Sequence, residues 1–230
     1  MSTSTESSSI SVSTSDGSFD AALSRPATPN GNAVVVIQEI FGVTKKIKAY
    51  CDMFAHEGYV AAAPDMFWRD ERNIQLGYSD EEVKRAMGLA KTFNEAKGRA
   101  DIKALIERLR TDGARKVCVV GFCLGGRLAA LAAASGDADA GIGFYGFGLE
   151  NEAAVLGGTG AALQLHYGDQ DHFITTESVE KVKAVLGAAS QAEVHRYAEA
   201  GHAFFRPDLK DVSSQLAWER AQGFLKRHMA

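Results

Sequence analysis

The chain predicts an α/β fold: one domain built on a mostly parallel central sheet with helices on both faces. Three observations carry this. Short apolar runs, Ala33-Val34-Val35-Val36-Ile37, Val117-Cys118-Val119-Val120 and Gly141-Ile142-Gly143-Phe144-Tyr145, have the length and continuity of strands buried on both faces. Between them lie segments of helical composition such as Arg127-Leu128-Ala129-Ala130-Leu131-Ala132-Ala133-Ala134. At 230 residues and 46% hydrophobic content, the chain is large enough for one substantial core.

The elements follow in order. Residues 1–8 are rich in Ser and Thr with almost nothing to bury, so residues 1–9 read as a disordered tail ahead of a domain over 10–230. Apolar stretches at 10–12 and 19–23 flank the turn dipeptide Asp16-Gly17, the pattern of an antiparallel hairpin. The strand at 33–37 is followed by a helix over 44–57, Gly58, a strand over 59–62 and a stop at Pro64. Residues 65–78 form a long irregular loop carrying Trp68, Arg69 and Arg72, of the kind that shapes substrate pockets. Helices are expected from Ser79 to about 93 and near 100–110, before the strand at 116–120. Strands at 141–145 and 163–167, a helix at 176–186, an alternating edge strand at 193–197 and an amphipathic helix at 211–228 complete the chain. Ligands of such folds bind beyond the carboxyl ends of the strands.

Composition narrows the partners. Lys and Arg number 25 against 29 Asp and Glu, which leaves no basic footprint for nucleic acid or an anionic membrane. No segment reaches the length of an apolar membrane span, and the N-terminus has no export signal pattern. Cys51, Cys118 and Cys123 are three in number, and their spacing marks neither a disulfide frame nor a zinc site, so a reducing cytoplasm and no metal or other cofactor are expected. The expected partner is a small molecule.

The chemistry centres on Gly121-Phe122-Cys123-Leu124-Gly125-Gly126, where a strand meets a helix through a glycine-flanked turn. In such a G-x-Nuc-x-G turn the nucleophile is exposed above the sheet, and the helix N-terminus favours a thiolate and a developing oxyanion. A cysteine nucleophile needs a base, itself oriented by a carboxylate. Of six histidines, His56 and His228 sit at helix ends, while His166 and His195 lie within strands, with His166 a candidate for pocket lining. His202, in Ala200-Gly201-His202-Ala203-Phe204, leaves the last strand at the correct end of the sheet. The carboxylate falls in Gly168-Asp169-Gln170-Asp171-His172, where Asp169 and Asp171 both qualify. Nucleophile, acid and histidine then occur in the chain order of α/β-hydrolases.

Together, Gln38-Glu39-Ile40-Phe41-Gly42, the Cys123 turn, Gly168-Asp169-Gln170-Asp171-His172-Phe173, Gly201-His202-Ala203-Phe204 and Tyr145-Gly146-Phe147-Gly148-Leu149-Glu150 resemble the dienelactone hydrolase (carboxymethylenebutenolidase) family from about residue 10 onward. The resemblance implies a Cys123, His202 and Asp171 triad, selecting Asp171 over Asp169, and adds Glu39 as acceptor of the thiol proton. It also implies an oxyanion hole from the backbone N–H groups of Leu124 and Ile40. The expected substrate is an enol lactone or activated ester bearing a carboxylate, such as dienelactone, opened to maleylacetate. Arg206 matches one carboxylate-binding arginine. The second does not align: Val83 and Lys84 stand near its place, with Arg85 the candidate, and Leu89-Ala90 stands where the family has a tryptophan. Phe41, Tyr145 and Phe173 are expected to line an apolar pocket. A broader carboxylesterase of the same family, or a cysteine redox sensor that would not require Asp171 and His202, is the alternative.

Overall fold

All five side chains of β3 (Ala33–Ile37) are fully buried, which a strand achieves only when both its faces are covered. The computed structural model describes residues 4–157, 160–187 and 191–230. Its contacts group into two units, Met1–Val117 and Cys118–Ala230.

In the first unit, β1 (Thr5–Thr14) and β2 (Gly17–Pro26) form the hairpin about Asp16-Gly17, in register from Thr14 opposite Gly17 to Thr5 opposite Pro26. β2 pairs antiparallel with β4 (Val60–Pro64), which pairs parallel with β3, in the order β1-β2-β4-β3. The helices α1 (Lys45–His56) and α3 (Glu95–Thr111) pack on β3 and β4. Between them α2 (Asp80–Thr92) opens with a capping box, Ser79 and Glu82 each satisfying the other's backbone N–H.

Three expectations change here. The tail expected over residues 1–9 is strand from Thr5 onward, because the backbone ladder to β2 orders it even though most of its side chains face solvent; residues 1–3 lie outside the described residues. Helix α3 begins at Glu95, earlier than expected. Asn94 caps it by accepting the Lys97 N–H at 3.0 Å, and Gly98, which lowers helix propensity, is needed because a Cβ there would lie 2.2 Å from the Phe93 ring. The loop at 65–78 is pinned from within. Trp68 Nε1 donates to Asp101 at 2.9 Å, Arg69 bridges Asp101 and Asp16, and the Asp65 carboxylate accepts the N–H groups of Phe67 and Asn73. Burial pushes the Asp65 carboxyl up despite those bonds. Trp68 and Arg69 are therefore structural.

In the second unit, β5 (Val117–Phe122), β6 (Ala140–Phe144), β7 (Ala162–Gly168) and β8 (Ala192–Tyr197) run parallel in chain order. Helix α4 (Leu124–Ala134) packs on β6 and β7, and two short helical turns, Leu149–Asn151 and α5 (Ala153–Leu156), precede β7. Helix α6 (Thr176–Leu186) is capped by Thr175, and α7 (Val212–His228) packs on β7 with Asp211 as its cap. Phe144 anchors the core, stacked on Phe205 at 4.4 Å and on His166 at 4.5 Å between ring centres. His166 is thus core rather than pocket lining: Tyr197 Oη and Gln164 Oε1 satisfy its two nitrogens at 2.7 and 2.9 Å, and burial drives its pKa well below the usual imidazole value. Among the described residues, no helix is long and apolar enough to cross a membrane.

Candidate active site

Because β5 to β8 are parallel, the segments leaving their carboxyl ends share one side of the second unit. These are Cys123 after β5, Tyr145 after β6, Asp171 in the loop after β7 and His202 in the loop after β8.

Cys123 joins β5 to α4 with φ 55° and ψ −114°, backbone that a residue with a side chain occupies at a cost of about 1–3 kcal/mol. Close packing holds it there. A Cβ on Gly121 would lie 1.9 Å from the Gly125 carbonyl oxygen, and one on Gly126 would lie 2.4 Å from that of Phe144, so only glycine lets β5, α4 and β6 approach this far. The Cys123 N–H donates to the Phe144 carbonyl at 3.0 Å. Its thiol is partly exposed, whereas Cys51 and Cys118 are buried, and desolvation pushes both of their thiols far up. Helix α4 begins at Leu124, three residues before the expected start, so the Leu124 N–H is a first-turn donor without an intrahelical acceptor.

His202 Nδ1 donates to Asp171 Oδ2 at 2.8 Å. The other Asp171 oxygen accepts the N–H groups of Phe173 at 2.8 Å and Ile174 at 3.3 Å, and the side chain is completely buried. Both oxygens are thereby fixed, one tautomer of the imidazole is selected, and Nε2 is left for a reacting atom. Asp169, two residues earlier, turns to Arg196 Nε at 2.6 Å instead. His172 is exposed. Burial pulls the His202 pKa down, but the Asp171 hydrogen bond and the Cys123 side chain outweigh it and raise it to about 9. A raised histidine pKa stabilises the fold fully below the unfolded value near 6.5, and the contribution is lost as pH rises through about 9. Urea unfolding in pH steps from about 6 to 10 is therefore expected to show a fall of up to roughly 3 kcal/mol more in wild type than in His202→Ala; equal slopes would refute the pairing.

Aromatic rings flank the imidazole. Tyr145, fully buried at φ 42°, and Phe173, 75% exposed, each place a ring centre 5.0 Å from that of His202. Arg206 is exposed, and its guanidinium makes no hydrogen bond or ion pair with the described residues. Its backbone is held, since the fully buried Ser214 Oγ accepts the Arg206 N–H at 3.2 Å and donates to the Phe204 carbonyl at 2.9 Å. Ser214 escaped sequence reading because a serine in the first turn of a helix has no distinguishing local signal.

Glu39, Ile40, Phe41 and Arg85, the other residues expected to have a role, belong to the first unit. Glu39, just past β3, has a buried side chain whose two oxygens meet Lys46 Nζ at 3.0 and 3.2 Å. Ile40 and Phe41 follow it, Phe41 lying 4.9 Å from the Tyr78 ring, and Gly42 adopts φ +85° where a Cβ would strike the Ile74 carbonyl at 1.8 Å. Arg85 is half exposed and ion-paired with Glu71, which engages the guanidinium expected to bind substrate. Lys46 was invisible as a site residue. Its signal in the sequence is a cation in the first turn of a helix, where the dipole disfavours one.

The dienelactone hydrolase family model matches residues 19–229. Carboxymethylenebutenolidase 1 of Cupriavidus pinatubonensis is 35% identical over 214 residues, covering 90% of each chain. The carboxymethylenebutenolidase of Pseudomonas putida is 35% identical over 225 residues, covering 94% of each. A solved structure from Klebsiella pneumoniae assigned as a dienelactone hydrolase superposes with a TM-score of 0.84 at 27% identity, covering 97% of this chain and 99% of the other. Sequence match and backbone likeness over nearly the whole length agree that the chain belongs to the dienelactone hydrolase family and is a hydrolase of esters or lactones.

Proposed function

We propose that the protein opens an enol lactone or cleaves a comparably activated ester through a Cys123 thioester. The observation that carries this reading is the His202 imidazole, held at 2.8 Å by a buried carboxylate and raised to about 9 by Asp171 and Cys123. An imidazolium at neutral pH stabilises a thiolate and is ready to protonate a leaving group. Glu39 accepts the proton of a resting Cys123 thiol, as the family resemblance implies. The Sγ lone pair attacks the ester carbonyl, the N–H groups of Leu124 and Ile40 receive the oxyanion, and the ring C–O bond breaks. His202 protonates the departing enolate, which becomes a ketone. Water then attacks the thioester carbonyl and gives a proton to His202, the C–S bond breaks, Glu39 returns its proton to the Cys123 sulfur, and the product acid loses its own proton to leave as a carboxylate.

Sulfur limits the substrate. A thiolate leaves more readily than an alkoxide or amide anion, so the tetrahedral adduct collapses backwards unless the competing leaving group is stabilised. Enolates and aryloxides meet that requirement and amides do not. With dienelactone as substrate the product is maleylacetate, and the guanidinium of Arg206, which has no partner among the described residues, clamps the substrate carboxylate. A cytoplasmic location belongs to the same reading and is supported by the three free cysteines.

A broader carboxylesterase has one observation in its favour: Arg85 is engaged by Glu71, leaving a single arginine for the carboxylate. One panel separates the two. Wild type and Arg206→Ala are assayed on cis- and trans-dienelactone, other enol lactones and neutral aryl esters. The clamp predicts a loss in kcat/KM of about 10²-fold or more confined to carboxylate-bearing substrates. Equal losses on neutral esters would reject it, and wild-type activity confined to neutral esters would establish the broader enzyme.

A further inference from the structure

Arg206 combines a fixed backbone with an unengaged side chain. Its guanidinium is exposed and has no partner among the described residues, yet its peptide groups are tied on both sides. The Arg206 N–H donates to Ser214 Oγ at 3.2 Å, and its carbonyl accepts the Leu209 N–H at 3.2 Å. Leu209 stands at φ 49°, and its own carbonyl accepts Gln215 Nε2 at 2.9 Å. The chain neighbours add to this. Phe205 is buried and stacks on Phe144 with ring centres 4.4 Å apart, and Pro207 disfavours the helical region at Arg206.

Ser214 is the centre of this arrangement. It lies in the first turn of α7, fully buried, and its own N–H is capped by Asp211 Oδ1 at 2.7 Å. The cap comes from Asp211, so the helix has no need of a hydroxyl at 214, where alanine has the higher helix propensity. The hydroxyl proton lies between two acceptors, the Phe204 carbonyl at 2.9 Å and Asp211 Oδ2 at 2.8 Å, while a lone pair takes the Arg206 N–H. One side chain thus closes the loop across residues 204–206. His202 is held separately, by Asp171 and by a loop whose Ala200 carbonyl accepts the Gln170 N–H at 2.9 Å. Helix stability does not account for the buried hydroxyl, and the backbone of Arg206 does.

We propose that Ser214 is a positioning residue that sets substrate selectivity, holding the Arg206 backbone so that the guanidinium meets a substrate carboxylate without first ordering its own loop. The inference rests on the reading of Arg206 as the carboxylate clamp. Ordering a side chain and its loop on binding costs affinity, so a backbone fixed beforehand lowers KM for substrates that use Arg206. Ser214→Ala keeps the guanidinium and loosens its base. The preference for a carboxylate-bearing ester over its neutral match, the ratio of the two kcat/KM values, is expected to fall about tenfold, chiefly through KM. Ser214→Thr keeps the hydroxyl and restores most of the preference. Ser214→Cys, close to serine in shape but a weak hydrogen-bonding group, falls between them.

The test uses a matched pair of substrates, the mono-para-nitrophenyl ester of fumarate and the para-nitrophenyl ester of crotonate, which differ by a carboxylate in place of a methyl. Wild type, the three Ser214 variants, Arg206→Ala and the double variant Ser214→Ala/Arg206→Ala are assayed on both. Running Ser214→Cys in parallel keeps the comparison available if Ser214→Ala does not fold. Exchange of the Arg206 N–H with solvent is followed by NMR on 15N-arginine-labelled protein, its resonance assigned as the one absent in Arg206→Ala. The expected results are faster Arg206 exchange and a lower preference in Ser214→Ala, recovery of both in Ser214→Thr, and a double variant no worse than Arg206→Ala. A preference kept in Ser214→Ala but lost in Arg206→Ala overturns the proposal, as does an additive loss in the double variant or an Arg206 N–H that exchanges at the wild-type rate. A preference kept in Arg206→Ala rejects the clamp instead, and faster Arg206 exchange in Ser214→Ala then still supports the hold on its backbone.

Discussion

Cys123→Ala is expected to reduce ester turnover to the uncatalysed background, a loss of at least about 10⁴-fold in kcat/KM, because the proposed thioester forms on Cys123. Cys123 stands at φ 55° between a fully buried strand and a helix N-terminus, partly open to solvent. His202→Ala and Asp171→Asn remove the proposed acid and the carboxylate hydrogen-bonded to its Nδ1. Each is expected to cost about 10³–10⁴-fold, and the double variant little more than one alone, since the two act as a unit. Intact-protein mass spectrometry after rapid mixing with an aryl ester gives the second readout. Wild type should carry one acyl group, mapped to Cys123, and Cys123→Ala none. Turnover by Cys123→Ala within about tenfold of wild type would exclude a thioester route. A redox sensor would leave no acyl adduct at all.

Gly121→Ala is expected to destabilise the protein by about 3 kcal/mol or more, a drop of roughly 10 °C in Tm, and to remove Cys123 reactivity with it. The added Cβ would lie 1.9 Å from the Gly125 oxygen and 2.3 Å from its carbonyl carbon. These are backbone atoms of α4 and cannot rotate aside, so β5 and the helix must separate and the strained Cys123 backbone must relax. Gly88, within α2, provides the contrast: nothing lies within 4 Å of the position a Cβ would take. Gly88→Ala should therefore be stabilising by about 0.5–1 kcal/mol through helix propensity alone. The same chemical change with opposite signs at two sites tests close approach itself. Thermal unfolding of both variants decides it, and a Gly121→Ala protein as stable as wild type would show that the turn is not closely packed.

The legible parts of this protein are those written locally. Asp16-Gly17 places the hairpin, and the run from Val117 to Gly126 carries strand, strained turn and helix in ten consecutive residues. Ser79 and Glu82 announce the start of α2 in the same way. What is not written locally depends on partners far along the chain. The serines from Ser7 to Ser9 offer nothing to bury, yet they are ordered by a backbone ladder that does not depend on their side chains. His166 looked available for a pocket until Tyr197, 31 residues on, and Phe144 enclosed it. Arg85, a candidate for the substrate carboxylate by sequence, is engaged by Glu71, 14 residues earlier.

By itself, the sequence determined the α/β class, the turn that presents Cys123 and the order of groups along the chain. Strand and helix periods, and the glycines of a tight turn, are properties of neighbouring residues and are written where they act. The strand-exit pattern left Asp169 and Asp171 both open, the family resemblance chose Asp171, and the tertiary structure shows Asp171 meeting His202 while Asp169 meets Arg196; only that structure decided that His166 is core and that Glu39 is gripped by Lys46. Side-chain direction at the end of a strand depends on which hydrogen-bond partners other segments bring within about 3 Å, and that is decided when the strands come together.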